Sequence, residues 1–89
     1  MNGGYAVVIS PSAWRDLMKL TEQAQSAVFD ALEGLEREPR PSGVVKMQGT
    51  ENLYRVRSGN YRIIYEVQDD VLRVLVVKIG DRRDIYKKR

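Results

Sequence analysis

The sequence contains no cysteine and no histidine, and the two absences together exclude several kinds of chemistry. A chain without thiols or imidazoles has no disulfide, no thiol nucleophile, no serine–histidine pair and few of the side chains that build structural zinc sites. It also contains no apolar run approaching about 18 residues and no secretory leader, so neither a membrane-crossing helix nor export is predicted. We expect a cytoplasmic protein that needs no metal or cofactor and contacts no membrane.

The residues that are present predict a single small domain with a basic second half. The chain has 89 residues, 43% of them apolar, which is enough for one hydrophobic core in a single domain spanning 1–89. Residues 1–43 carry four basic and six acidic side chains, whereas residues 44–89 carry eleven basic and six acidic ones. Ten of the fifteen basic residues are arginine, whose planar guanidinium suits phosphate. The second half is therefore expected to meet a polyanion, although a basic surface also suits an acidic protein partner.

The centre of the chain, Asn52–Val67, has the pattern of a β-hairpin. Two runs rich in strand-forming residues, Leu53–Arg57 and Tyr61–Val67, flank the turn sequence SGN. Because side chains alternate between the two faces of a strand, one face of this hairpin is apolar and the other carries Arg55, Arg57 and Arg62. These arginines could be the solvated side of a half-buried sheet or an anion-binding surface, and the hairpin alone leaves both interpretations open.

Local sequence signals predict the other elements. Ser10 with the following proline, and Thr21 further on, are residue types that begin helices. Trp14 is predicted to anchor the core through the first of these helices, and the continuously apolar last strand is predicted to be buried on both faces. The expected elements are a strand over Tyr5–Ser10, helices over Pro11–Leu20 and from Thr21 to Pro39, a weak strand over Val44–Gln48 and a strand over Val71–Ile79.

These elements predict an α+β fold. Their order, β-α-α-β-β-β, gives two N-terminal helices packed on one face of a small, largely antiparallel sheet of four to five strands. The opposite face would be open, or partly covered by the basic tail 81–89. The three hairpin arginines would then project from that open face, where an anion could reach them.

Three sequence segments in a fixed order resemble a known family. They are YRVRSGNYRIIYEV at Tyr54–Val67, the apolar strand that ends at Gly80, and DRRDIY at Asp81–Tyr86. Together with the N-terminal strand and the helical hairpin, they resemble the RelE/ParE toxin superfamily, and within it the RelE-type mRNA interferases. The resemblance implies a RelE-like fold and a toxin of a type II toxin–antitoxin system. Such toxins cleave mRNA in the ribosomal A site through attack of a 2′-hydroxyl on the adjacent phosphate, and so inhibit translation.

The resemblance also assigns roles to individual residues. Arg62 matches the arginine that stabilises the phosphate in the transition state. Arg82 matches the proposed general acid or leaving-group stabiliser, with Arg83 as an alternative in the alignment, and Tyr86 matches the tyrosine that orients the RNA. Arg55 and Arg57 match a pair of basic positions that are lysines in the best-known pattern. Because a guanidinium group holds its proton too tightly to be a good general base, both are expected to bind RNA phosphates rather than to act as the base.

The remaining implications concern partners and alternatives. Lys46 and Lys87 are expected to add nonspecific affinity for RNA. The family implies a cognate antitoxin, RelB-like or similar, besides mRNA and the ribosome, and no direct binding to DNA. Two other functions stay open from the sequence: a ParE-like toxin that inhibits DNA gyrase, and a noncatalytic module that binds RNA or protein.

Overall fold

The computed structural model of the protein describes residues 4–49 and 52–81. Its elements are strand β1 (Ala6–Ile9), helices α1 (Pro11–Met18) and α2 (Glu22–Arg37), and strands β2 (Val45–Lys46), β3 (Leu53–Ser58), β4 (Tyr61–Gln68) and β5 (Arg73–Asp81), with a 3-10 turn at Asp69–Val71. The predicted α+β architecture is confirmed. The order gains one strand, because the weak strand predicted over Val44–Gln48 forms as β2. No helix within the described ranges is long and apolar enough to cross a membrane.

Both helices begin at the residues that the sequence predicts. The Ser10 hydroxyl accepts a hydrogen bond from the backbone N–H of Ala13 at 3.1 Å, and the Thr21 hydroxyl accepts one from the N–H of Ala24 at 3.1 Å. Each bond satisfies a donor that has no partner inside its helix. Helix α1 ends at Met18, slightly before the predicted Leu20, because the chain must turn before the second cap.

The five strands form one mixed sheet in the order β1-β5-β4-β3-β2. Strand β1 pairs with β5 in parallel, and every other pair is antiparallel. The pairing of β4 with β5 is interrupted by a β-bulge: Tyr65 faces Val76, the preceding Ile64 faces Lys78, and Val77 is the extra residue. Because a bulge adds one residue to one strand, the side chains of β5 change faces at this point.

The helices cover one face of the sheet and bury the core there. The prediction that the last strand is buried on both faces is wrong. On β5, Val74, Val76 and Ile79 are buried, whereas Lys78 is exposed. Both described helices lie on the same side, so neither of them covers the other face of this strand. The hydrophobic core of the described residues consists of Ala13, Leu17, Val28, Leu32, Leu35, Tyr54, Ile63, Tyr65, Val67, Val74, Val76 and Ile79.

Trp14 does not anchor the core, and that prediction is also wrong. Its side chain is 46% exposed, as is that of Met18 one turn later. Ala13 and Leu17, which are also one turn apart, are fully buried and turn α1 towards the sheet. The small Ala13 side chain allows the helix backbone to come close to the sheet, and this arrangement rotates the indole outwards.

Candidate nucleic-acid interface

The strand register places three arginines on one face of the sheet. Arg57 pairs with Arg62, and Arg55 pairs with Ile64. Directly opposed residues of an antiparallel pair carry their side chains on the same face, with Cβ atoms about 5 Å apart. The helices pack against the other face, through Tyr54, Ile63 and Tyr65. We call the surface that bears Arg55, Arg57 and Arg62 the arginine face.

The three arginines differ in how far they are buried. Arg57 is exposed, whereas Arg55 and Arg62 are half-buried. The Nε atom of Arg62 is inaccessible to solvent. A long side chain whose stem and Nε lie against the sheet keeps its head in a narrower range of positions than one extended into water. Arg62 is therefore the best positioned of the three, and Arg57 has the greatest freedom to reach a ligand.

The arginine face extends onto β5. Ile64 lies between Arg55 on β3 and Lys78 on β5, since it pairs with both. Lys78 thus adds a cation that the sequence analysis did not single out. The signal was a lysine two residues before Gly80, but the apolar run around it predicted a buried position. In the next row, Arg62 faces Gly80, which has no side chain.

The other predicted site residues do not join this cluster in the part of the chain that the structure describes. Lys46 pairs with Tyr54, so its side chain lies on the helix-bearing side of the sheet. Four predicted residues lie outside the described ranges: Arg82, Arg83, Tyr86 and Lys87. The last described residue, Asp81, pairs with Tyr61, in the row next to the one that contains Arg62.

A separate charged cluster, formed by Arg40, Asp69, Tyr5 and Tyr54, serves the fold rather than this face. Arg40 donates to Asp69 through Nη2 at 2.7 Å and to the Tyr54 hydroxyl through Nε at 2.9 Å. The Tyr5 hydroxyl donates to Asp69 at 2.6 Å. The hydrogen bonds from Arg40 and then Tyr5 hold the pKa of Asp69 below its usual range. Arg40 is engaged in these contacts at the end of the hairpin remote from the Gly59 turn.

The arrangement on the arginine face is suited to binding and stabilising negative charge. Fixed guanidinium groups form charge-assisted hydrogen bonds with phosphate oxygens, and they are already oriented before the ligand arrives. A guanidinium group offers five N–H donors and no acceptor, so Arg55, Arg57 and Arg62 are suited to bind phosphates rather than to act as bases. A phosphodiester whose negative charge increases during a reaction would be stabilised here.

The chain is similar in sequence to known toxins. A protein-family model described as "ParE toxin of type II toxin-antitoxin system, parDE" matches residues 7–86. The chain is 32% identical over 85 residues to Toxin RelG of Mycobacterium tuberculosis, covering 94% of this chain and 98% of that protein.

Two solved structures of toxin–antitoxin complexes share the fold. The archaeal RelE–RelB complex from Pyrococcus horikoshii OT3 gives a TM-score of 0.80 at 31% identity, covering 89% of this chain and 96% of that one. The RelBE2 complex from Mycobacterium tuberculosis gives a TM-score of 0.79 at 29% identity, covering 89% and 99%. The family match spans nearly the whole chain, and both the sequence and the fold agree with it. The chain therefore belongs to the RelE/ParE superfamily of toxins from type II toxin–antitoxin systems.

Proposed function

We propose that the protein is a ribosome-dependent endoribonuclease that cleaves mRNA in the ribosomal A site and thereby inhibits translation. The observation that carries this proposal is the direct opposition of Arg57 and Arg62, with Arg55 on the same face of the sheet. Like charges directly across an antiparallel pair destabilise the fold. A cluster that costs stability in the free protein is expected to be retained for a ligand, and a phosphate chain is the ligand that matches several guanidinium groups.

The chemistry divides among the residues as follows. The 2′-hydroxyl of one nucleotide gives up its proton and its oxygen attacks the adjacent phosphorus. The bond from phosphorus to the 5′-oxygen breaks and the leaving oxygen takes up a proton, so the step consumes no net proton. The products are a 2′,3′-cyclic phosphate and a free 5′-hydroxyl. Arg62 stabilises the phosphorane-like transition state, since it is the most restrained cation of the arginine face. Arg55 and Arg57 bind flanking phosphates, and the family pattern gives the acid role to Arg82 or Arg83 and the RNA-orienting role to Tyr86.

The same proposal includes the protein's partners. RelE proteins are seen in complex with RelB in the structures from Pyrococcus horikoshii and Mycobacterium tuberculosis. By analogy, a RelB-like antitoxin neutralises this chain in the cytoplasm, and mRNA on the ribosome is its target. Its acidic segments would be attracted to the arginine face by the same charges that attract RNA. We expect no direct binding to DNA.

The experiment uses purified toxin in a reconstituted translation reaction, with cleavage sites mapped from the 5′ ends of the mRNA. Cuts at in-frame codon positions that require ribosomes are expected. Arg62→Ala should reduce the cleavage rate by at least about 100-fold, by analogy with the loss of one transition-state donor. Arg37→Ala removes an exposed arginine from the end of α2, away from the arginine face, and should leave the rate unchanged. Intact mRNA in the presence of folded toxin and translating ribosomes would refute the proposal.

A second candidate function follows from the description of the matching family, which names the ParE toxin. A ParE-like protein would inhibit DNA gyrase and would cleave no RNA. A supercoiling assay with purified gyrase separates the two candidates. Inhibition at stoichiometric toxin, together with uncut mRNA in translating reactions, would favour the gyrase function. No effect on supercoiling would remove it.

A further inference from the structure

Lys78 is placed among the cations of the arginine face by the pairing of three strands. It lies opposite Ile64, which in turn lies opposite Arg55. The two cations therefore flank the same apolar side chain, one from each neighbouring strand. Arg62 is two residues before Ile64 on β4 and therefore diagonal to Lys78. Ile64 is thus bordered on three sides by cations from three strands. Of the lysines that the structure describes, Lys78 alone shares this face.

The present partner of Lys78 is Asp16, a residue of α1. The carboxylate Oδ2 of Asp16 lies 3.6 Å from the Lys78 ammonium nitrogen. The same oxygen accepts a hydrogen bond from the backbone N–H of Ile79 at 3.1 Å. Strand β1 pairs with β5 only as far as Val76, so Asp16 occupies the side of β5 that β1 leaves. The carboxylate therefore has two roles, one for the backbone of the strand and one for the lysine.

The ion pair between Lys78 and Asp16 is weak. Its 3.6 Å separation exceeds the 2.7–2.9 Å of a well-formed charged hydrogen bond. The Lys78 side chain is 50% exposed, whereas that of Asp16 is 17% exposed. An ion pair of this kind contributes little, since water and salt screen it. The hydrogen bond to Ile79 holds the carboxylate in place, while the flexible lysine can leave it.

We propose that Lys78 is a phosphate-binding residue of the arginine face, which rests on Asp16 in the free protein and moves to the RNA backbone when the substrate binds. This inference rests on the proposed function and adds to it a residue and a counter-ion. Binding of RNA would replace one weak carboxylate contact with a phosphate already held by the neighbouring arginines. Asp16 stays on the Ile79 backbone and keeps the end of β5 in position.

The test compares Lys78→Gln, Asp16→Asn and the double variant in single-turnover cleavage of mRNA on programmed ribosomes, with toxin in excess. Lys78→Gln should raise the half-saturating toxin concentration about tenfold, as expected for loss of a charged hydrogen bond, and leave the rate at saturation nearly unchanged. It should also make the fall of log affinity with log salt concentration less steep, by about one in the slope. Asp16→Asn keeps an oxygen for the Ile79 N–H but removes the charge, and should lower the half-saturating concentration by up to about fivefold.

The double variant and two controls make the outcome decisive. Because asparagine retains the oxygen for the Ile79 N–H and the charge of Asp16 acts through the lysine, the double variant should match Lys78→Gln. Lys78→Arg keeps a cation at this position and should bind as wild type does. Lys19→Gln, which removes an exposed lysine at the end of α1, should also behave as wild type. Circular dichroism of each variant establishes that it is folded. Wild-type affinity in Lys78→Gln, or weakened binding in Asp16→Asn, would overturn the inference.

Arg62→Ala in the same assay separates failure of this inference from failure of the proposed function. If Arg62→Ala loses cleavage and Lys78→Gln does not change binding, only the role of Lys78 is wrong. If the wild-type toxin leaves mRNA on translating ribosomes intact, the endoribonuclease proposal itself fails. If it cleaves and no variant on the arginine face changes the cleavage, the assignment of the site to this face fails. Titration of the variants with an acidic antitoxin peptide tests whether Lys78 binds the antitoxin instead of RNA. Weaker peptide binding with unchanged cleavage would assign Lys78 to the antitoxin and overturn its assignment to RNA.

Discussion

Arg57 and Arg62 lie directly opposite each other on β3 and β4, with both side chains on the face of the sheet turned away from the helices. Like charges in this relationship cost roughly 0.2–1 kcal/mol of folding free energy. Arg57→Gln should therefore raise the melting temperature by about 1–6 °C, given the size of the domain. Thermal unfolding followed by circular dichroism measures this shift.

Salt provides the control for that prediction. Repulsion between exposed charges is screened when the Debye length falls from about 10 Å at 0.1 M salt to about 3 Å at 1 M. The stabilisation by Arg57→Gln should therefore shrink at high salt. A gain that is independent of salt would mean that the repulsion between Arg57 and Arg62 is not its cause.

Asp69 should make the stability of the protein depend on acid pH. Its pKa in the folded state is lowered by hydrogen bonds from Arg40 and Tyr5, so its contribution is present above the ordinary value of 3.8 and is lost as the pH falls through the folded pKa. The melting temperature of wild type should therefore exceed that of Asp69→Asn near neutral pH, and the two curves should converge in acid. Asp70→Asn, which removes the neighbouring exposed carboxylate, is the matched control. A constant difference between wild type and Asp69→Asn at all pH values would contradict the prediction.

Tyr65→Phe should destabilise the fold. The Tyr65 hydroxyl donates a hydrogen bond to the backbone carbonyl of Pro39 at 2.7 Å, and both residues are buried. Phenylalanine would leave that carbonyl without its donor, at a cost of roughly 1–3 kcal/mol. Urea unfolding measures the loss, with Tyr61→Phe as the control because Tyr61 is only half-buried. Equal losses in the two variants would mean that the contact with Pro39 contributes nothing special.

Leu72 is the one non-glycine residue of the described ranges with a positive φ, at +53°. A leucine in the left-handed region costs roughly 1–2 kcal/mol, part of which glycine would recover against its greater chain entropy. Leu72→Gly should therefore stabilise the fold by up to about 1 kcal/mol, measured by urea unfolding. Val71→Gly changes a neighbour whose φ is negative and should lower stability instead. If both glycine variants are destabilised alike, the backbone at Leu72 carries no strain.

Features determined by neighbouring residues were predictable from the sequence. Ser10 and Thr21 begin helices because their hydroxyls satisfy backbone donors only three residues away. The shared face of Arg55, Arg57 and Arg62 follows from the alternation of side chains along two strands joined by a short turn. In both cases the interaction lies within a short stretch of chain, so residue type is sufficient to predict it.

Features that depend on contacts between distant segments were not predictable in the same way. Trp14 is the larger hydrophobic residue, yet Ala13 faces the core, because the spacing between α1 and the sheet determines which side of the helix is buried. Lys46 and Lys78 were assigned by their surroundings in sequence, but the register of β2 with β3 and of β4 with β5 determines their faces. No pattern within either strand contains that register.

The bulge at Val77 determines which residues of β5 reach the core and which reach the arginine face. Ile79 reaches the interior, and Lys78 and Gly80 reach the opposite surface, because one residue is left over after Val76. A regular strand that retained Val77 would exchange the two sets, placing an ammonium group in hydrocarbon and an isoleucine in water. Deletion of Val77 itself would restore regular alternation and leave Lys78 and Ile79 on their present faces. The bulge therefore lets β5 carry one extra residue between Val76 and Gly80 without moving the lysine or the isoleucine to the wrong side of the sheet.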